Sequence, residues 1–212
     1  MSNPKPFRIA INGYGRIGQC VLRALYEHGF RDHLQVVAIN ELSDIDTIAH
    51  LTRYDSTHGR FRGDISVAGQ DLMVNGDAIR VLSHPDPADL PWRLLDVDLV
   101  LECSGAYSDR ATAEKHIQAG ARRLLFSQPA ESDVDRTVVY GINDGDLTAE
   151  DTIVAAGSCT TNCLVPVIKV LDEAFGVEQG STTTIHDACP SRSLIDADLA
   201  VRIVDAKEVR LW

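Results

Sequence analysis

The 212-residue chain has no apolar run approaching the ~20 residues that a bilayer-spanning helix requires. Its opening residues, Met1-Ser2-Asn3-Pro4-Lys5-Pro6, lack the apolar core of a secretory signal, so a cytoplasmic protein is expected. Cations are scarce as well: 20 Lys and Arg stand against 31 Asp and Glu, a net charge of −11. A polynucleotide partner normally demands a basic face that displaces phosphate counterions, so no nucleic acid is expected as ligand. A small phosphorylated ligand stays open, because a few local cations decide that. The five cysteines (Cys20, Cys103, Cys159, Cys163 and Cys189) are odd in number and lack framework spacing, which excludes a disulfide scaffold. None pairs at zinc-ligand spacing with a His or Cys cluster, so no metal is expected. Internal repeats and low-complexity stretches are missing too.

What is present is an alternation of β and α patterns. Residues 7–12 form a short apolar run that predicts a buried strand. Ile17, Val21 and Leu25 recur at helical spacing and predict a helix over 17–28, stopped by Gly29. Residues 34–40 read as a second buried strand. Ser43, with Asp46 three residues on, predicts the N-cap of a helix reaching about Tyr54. The period then shortens. Residues 64–67, 71–74 and 78–82 read as strands parted by Ala68-Gly69-Gln70 and Asn75-Gly76-Asp77, a small antiparallel meander inserted in the α/β pattern. The alternation resumes with a strand at 97–103 and a helix from Ser108 to the stop at Gly120. Strands at 124–127, 137–142 and 152–156, a helix at 160–175 and a strand at 181–186 follow. Six parallel-type strands joined by helices predict a doubly wound Rossmann sheet. The roughly 50 residues after Cys159 are few for a second domain of ordinary size.

Gly13-Tyr14-Gly15-Arg16-Ile17-Gly18 fits G-x-G-x-x-G between the first strand and the first helix. Gly13 permits a tight turn, Gly15 lets the backbone approach a pyrophosphate, and Gly18 lets the helix pack on the strand. The free N–H groups at the helix start favour the phosphates. Glu41 ends the second strand, 23 residues past Gly18. A carboxylate there accepts from the adenosine ribose hydroxyls and repels a 2′-phosphate, so NAD is expected over NADP.

Cys159 sits where a predicted strand gives way to a helix, at the positive end of the helix dipole, which favours the anionic sulfur. His186 follows 27 residues later on the next predicted strand, as a candidate base. Cys20, Cys103 and Cys163 are expected to fill space. A thiol nucleophile beside a nicotinamide points to aldehyde oxidation through a thiohemiacetal and a thioester, which water or phosphate cleaves.

Three segments carry a resemblance: Asn12 with the glycine motif, Tyr54-Asp55-Ser56-Thr57-His58-Gly59, and Ser158-Cys159-Thr160-Thr161-Asn162-Cys163. They resemble the glyceraldehyde-3-phosphate dehydrogenase family. Within it the chain is most similar to the erythrose-4-phosphate dehydrogenase branch, through Ala38-Ile39-Asn40-Glu41-Leu42, Leu125-Phe126-Ser127, Pro166-Val167-Ile168-Lys169 with Leu171-Asp172, and Ile195-Asp196-Ala197. The resemblance implies an NAD-binding domain over residues 1–158 and an α+β catalytic domain begun at 159–212. It implies Cys159 as nucleophile and His186 as base. It implies pyrophosphate contact through the Arg16 and Ile17 N–H groups, and cofactor contacts from Ser104, Gly105 and Ser127. Ser158 and Thr160 would hold a phosphate, and the family's assembly is a homotetramer. The implied reaction is oxidation of the phosphorylated aldehyde D-erythrose 4-phosphate to 4-phosphoerythronate, toward pyridoxal phosphate. The same chemistry on glyceraldehyde 3-phosphate, and a truncated NAD-binding module without catalysis, are the alternatives. Gln19 replaces a common arginine and Ala156 a common asparagine. After about residue 188 the motifs thin out, residues 198–212 are expected to diverge, and the second domain is expected to be truncated, as a frameshift would leave it.

Overall fold

Strand-forming runs separated by glycine turns line up side by side in the computed structural model, which describes residues 5–184. The described residues fall into two units, one ending at Ser158 and the other beginning at Cys159. The first unit opens with β1 (Phe7–Asn12), α1 (Arg16–Glu27), β2 (Leu34–Asn40) and α2 (Ile45–Arg53). A two-stranded hairpin of β3 (Tyr54–Asp55) and β4 (Gly59–Arg60) follows. Next come β5 (Ile65–Ala68), β6 (Asp71–Val74), β7 (Asp77–Leu82), β8 (Leu99–Glu102), α3 (Arg110–Gln118), β9 (Arg123–Phe126), β10 (Arg136–Thr137) and β11 (Ile153–Ala155).

These strands form one nine-stranded sheet in the order β10-β11-β9-β8-β1-β2-β7-β6-β5. All pairings from β10 to β7 are parallel, and β6 and β5 are antiparallel. The doubly wound parallel sheet expected from the sequence is therefore the architecture. The meander proves to be more than an insertion. Its last strand, β7, pairs parallel with β2 and fills the third position of the sheet, so the meander extends the edge instead of standing apart. Asn75 and Gly76 make its tight turn, both with positive φ, as Asn-Gly turns require.

The core lies on both faces of the sheet. Ile9, Ile11, Leu22, Leu25, Val36, Ile39 and Ile48 pack under α1 and α2, while Ala10, Val37, Ala38, Val100, Ala113, Leu124 and Phe126 pack under α3. Alternation is the cause: successive strand residues point to opposite faces. Ala38 breaks it by sharing a face with Val37. The register between β1 and β2 slips there, Ile9 facing Val36 and Ala10 facing Ala38, so β2 carries one extra residue.

Local details differ from the expected caps. Asp44, and not Ser43, caps α2, its carboxylate accepting from the Thr47 N–H at 2.9 Å. Asp109, and not Ser108, caps α3 through the Thr112 N–H at 2.8 Å. In each pair the acid stands one residue later, and an ionised side chain is the stronger acceptor. The expected strand at 137–142 shrinks to β10. Beyond it Asn143 takes the Val139 N–H at 2.8 Å and donates to the Thr137 carbonyl, turning the chain away from the ladder.

The second unit begins with α4 (Cys159–Phe175), which contains Pro166 and leaves Val167, Val170, Leu171 and Phe175 exposed. Residues 181–184, expected as the start of a strand, adopt no regular structure, and the rest of that segment lies outside the described residues. Among the described residues no helix is long and apolar enough to cross a membrane.

Gly13 and Gly29 both have positive φ, but only Gly13 is enclosed. A Cβ there would stand 2.3 Å from Ser104 Cα, whereas a Cβ on Gly29 meets open space. Gly29→Ala is expected to cost about 1 kcal/mol from the left-handed backbone alone. Gly13→Ala is expected to cost about 3 kcal/mol or more, because backbone must also move. Equilibrium urea unfolding followed by circular dichroism checks the difference, and equal losses would contradict it.

Candidate functional site

The ends of β1, β2 and β8 meet at the carboxyl edge of the parallel sheet, where ligands of such sheets bind. The glycine-rich turn leaves β1 there. Gly13 donates its N–H to the Asn40 carbonyl at 2.9 Å, and Cys103 donates to the Asn12 carbonyl at 2.7 Å. These bonds bring the turn against Ser104 with no room for a side chain at Gly13. A Cβ on Gly18 would stand 2.5 Å from the Gly13 carbonyl oxygen and 3.1 Å from Ile11 Cγ2, so α1 approaches β1 as closely as backbones allow. Gly15 is the opposite case. It is the N-cap of α1, has extended backbone, and nothing lies within 4 Å of where its Cβ would be.

The three glycines thus divide the work expected of them: turn, open approach and helix packing. No side chain caps α1, and its first turn holds no acid. The N–H groups at that end face the open side of Gly15 beside the positive end of the dipole. A dinucleotide pyrophosphate fits this arrangement: the backbone leaves space for it, the helix offers donors, and no carboxylate of the first turn competes. Ile17, 47 % exposed, adds an apolar side chain to the same turn.

Glu41 stands just past β2, half-buried beside the turn. Its Oε2 accepts from the Tyr14 N–H at 2.7 Å and its Oε1 from the Leu42 N–H at 2.8 Å. Oε1 also accepts from the Ser43 N–H at 3.4 Å, so Oε2 is the oxygen that keeps a lone pair for a further donor, as a ribose hydroxyl would supply. The carboxylate therefore also fastens the glycine turn, which the sequence reading did not foresee. The turn has a second anchor in the Tyr14 ring, buried beneath α2 with its hydroxyl 2.9 Å from Thr52 Oγ1. Burial pushes the Tyr14 phenol well above its ordinary range.

Arg16 was expected to meet a pyrophosphate through its N–H. Its side chain is engaged elsewhere, the guanidinium pairing with Asp55 and reaching Ser56. Asp55 also accepts from the Thr57 and His58 N–H groups, each at 2.7 Å. Burial alone pushes the Asp55 carboxyl up, but these donors and Arg16 outweigh it and hold the group below the usual carboxylate range. The segment 54–59 is thereby tied to the start of α1.

Ser104 and Gly105 follow β8, and Ser127 follows β9 on the adjacent strand. The Ser104 hydroxyl donates to Glu102 and accepts from the Ala106 N–H at 3.1 Å, while Gly105 takes positive φ. Ser127 hydrogen-bonds the Cys103 thiol, and its N–H donates to the Glu102 carbonyl at 3.0 Å. The candidate cofactor residues Gly13, Gly15, Arg16, Ile17, Gly18, Glu41, Ser104 and Gly105 are thus gathered around three strand ends, with Ser127 one strand further.

The sequence reading missed Asn12, Asn40 and Glu102. All three are buried polar residues that end β1, β2 and β8, and they bond one another beneath the turn. A polar residue closing each of three apolar runs was the available signal.

In the second unit Cys159 and Thr160 open α4, and Ser158 precedes it by one residue. Gly157 takes positive φ just before, turning the chain into the helix. Cys159 and Cys163 are free and exposed. The expected space-filling role of Cys163 is therefore not what α4 displays. His186, the expected base, lies outside the described residues.

Cys103 is a different kind of thiol. Burial pushes it up to about 12, against which the Ser127 hydrogen bond acts only in part. At about pH 8 iodoacetamide is expected to modify Cys159 and Cys163 and to spare Cys103, because the thiolate is the reacting species. Peptide mass spectrometry reads this, and comparable labelling of Cys103 would contradict its enclosure.

Comparison with protein families bears on the whole arrangement. Residues 7–110 match the NAD binding domain of glyceraldehyde 3-phosphate dehydrogenase. Residues 158–210 match the C-terminal domain of the same enzyme family. The second match runs past residue 188, through the stretch expected to diverge, so the family's character continues there after its short motifs thin out. Together the two matches span most of the chain, one on each unit, and they make NAD the cofactor and NAD-dependent oxidation of a phosphorylated aldehyde the family's chemistry. The chain belongs to the glyceraldehyde-3-phosphate dehydrogenase family.

Proposed function

We propose that this protein oxidises D-erythrose 4-phosphate to 4-phosphoerythronate with NAD. The observation that carries the reading is the hexapeptide from Ser158 to Cys163 at the start of α4, in a chain whose other unit has a dinucleotide turn. The choice of substrate rests on Ala38-Ile39-Asn40-Glu41-Leu42, which resembles the erythrose-4-phosphate branch.

In this reading Gly13, Gly15 and Gly18 shape the bed of the pyrophosphate. Arg16 and Ile17 offer their N–H groups to it, and Glu41 accepts from the adenosine ribose. Ser104, Gly105 and Ser127 border the remainder of the cofactor. When bound, NAD supplies the hydride acceptor. The Cys159 sulfur adds to the aldehyde carbon, and the new oxyanion is met by the Cys159 N–H and His186. His186 takes the hydroxyl proton of the thiohemiacetal as the carbon is oxidised to a thioester. Water then cleaves the thioester and frees the thiolate. Ser158 and Thr160 hold the substrate phosphate. A cytoplasmic homotetramer is the assembly this family resemblance implies.

Formation of NADH from erythrose 4-phosphate tests the reading. Its kcat/KM is expected to exceed that for glyceraldehyde 3-phosphate by about tenfold or more, a margin that one altered set of polar contacts can supply. Cys159→Ser is expected to lower kcat about 10³-fold or more, with Cys163→Ser close to the parent enzyme. Equal or faster turnover of the triose assigns the reaction to glyceraldehyde 3-phosphate. NAD binding with no turnover of either sugar phosphate leaves a binding module. NADP is expected to bind about 100-fold more weakly than NAD, because Glu41 opposes a 2′-phosphate. Glu41→Gln is expected to narrow that gap.

A further inference from the structure

Beneath the glycine turn lies a chain of buried hydrogen bonds with a fixed direction. It starts at the His84 backbone, whose N–H donates to Asn40 Oδ1 and whose carbonyl accepts from Asn40 Nδ2, both at 2.9 Å. This double contact with rigid backbone sets which way the Asn40 amide faces. Asn40 Nδ2 also donates to Asn12 Oδ1 at 2.7 Å, which sets the Asn12 amide in turn. Asn12 Nδ2 is then left to donate to Glu102 Oε2, at 2.5 Å.

From the other side Ser104 gives Glu102 Oε1 two donors, its N–H at 2.8 Å and its hydroxyl. A buried imidazole lies beside the same carboxylate without hydrogen-bonding it. Trp92 Nε1 donates to His116 Nδ1 at 3.0 Å, and an indole nitrogen can only donate. The His116 ring proton therefore sits on Nε2, which lies 3.4 Å from Glu102 Oε2. Donors from Ser104 and Asn12 converge on one carboxylate that is 1 % exposed. A group that only accepts is required at this point, and ionised glutamate is such a group.

Ser104 is also the residue against which Gly13 packs without space for a Cβ, so whatever fixes Ser104 fixes the turn. We propose that Glu102 is a positioning residue for the dinucleotide: its carboxylate locks the Ser104-Gly105 turn and, through Asn12 and Asn40, the Gly13 turn and the His84 segment into one floor under the cofactor. The proposal rests on the reading of that edge of the sheet as the NAD site. It differs from general core support in requiring acceptors, in a stated order, at stated atoms.

Glu102→Gln keeps the shape and breaks the order. One of its two polar atoms becomes a donor and meets either Ser104 or Asn12, which also donate. Asn12 cannot turn to relieve this, because Asn40 and the His84 backbone hold it. Asn12→Asp added to Glu102→Gln restores the order: the new amide donates to the new carboxylate, which still accepts from Asn40. Asn12→Asp alone sets two carboxylates face to face.

NAD affinity of the full chain, measured by titration calorimetry with folding verified by circular dichroism, tests this. Glu102→Gln is expected to bind NAD about tenfold or more weakly, as loss of buried, charge-assisted hydrogen bonds allows. Asn12→Asp is expected to be weak as well, and the double variant to return to within about threefold of the parent protein. A folded Glu102→Gln protein with parental affinity overturns the proposal. So does a double variant no better than Glu102→Gln, since a role in general packing would give no rescue. Should Glu102→Gln not fold, a double variant that folds and binds NAD supports the proposal, and one that does neither overturns it. A parent chain that binds no NAD removes the cofactor reading and the proposal together, an outcome distinct from parental binding with an indifferent Glu102.

Discussion

Backbone meets backbone where the first turn of this chain crosses the end of β8, and the remainder of the site depends on that contact. At Gly13 no side-chain atom fits between the turn and Ser104. The closeness follows from the sheet: β1 and β8 are parallel neighbours in register from Ile9 facing Leu99 to Asn12 facing Glu102, so their following loops must leave side by side. Two loops in contact move together. A change at either is felt by the open N-terminus of α1, since Gly18 holds that helix against the Gly13 carbonyl with equally little slack. The opening at Gly15 is therefore a gap between parts that cannot relax into it.

Such a contact needs firm support, and the support is polar. Apolar packing fixes volume but tolerates small rotations. A buried hydrogen-bond network fixes direction, at the risk of a large penalty if one member is left unpaired. Asn12, Asn40 and Glu102 occupy the positions where the sheet ends, each buried and each bonded to the next. Burying an ionised carboxylate is costly unless several donors replace water. Here Ser104, with two donors, and Asn12 do so. Glu41 repeats the device at the surface, holding the Tyr14, Leu42 and Ser43 N–H groups while Oε2 keeps a lone pair. The second unit presents its chemistry differently. Cys159 is exposed at the first turn of a helix, two residues after a glycine with positive φ.

Much of this was legible in the sequence, for reasons that differ by element. Period and punctuation sufficed for β1, α1, β2 and the meander, because buried strands and an amphipathic helix leave strong patterns between glycines. The G-x-G-x-x-G spacing named the three glycines whose geometry the fold displays. Caps were harder. Ser43 beside Asp44, and Ser108 beside Asp109, each offer two competent residues, and the ionised one, the stronger acceptor, takes the position, a choice that the spacing of apolar residues does not contain. The short β10 was over-read because Thr137 to Ile142 is β-branched and apolar, while a side-chain amide three-dimensionally close, that of Asn143, captures its backbone. The parallel placement of β7 beside β2 is a long-range pairing with no local signature. The polar ends of β1, β2 and β8 were visible letters, but only their convergence gives them a common task.

The central claim is that the carboxyl edge formed by β1, β2 and β8 receives NAD. Amide hydrogen exchange of the full chain with and without NAD measures it most directly, because each loop reports separately. Protection concentrated in peptides covering residues 13–18, 40–43 and 103–107, with the meander at 65–82 unchanged, is the predicted result. Unchanged exchange at 13–18 in the presence of bound NAD, or protection confined to other segments, would contradict the account.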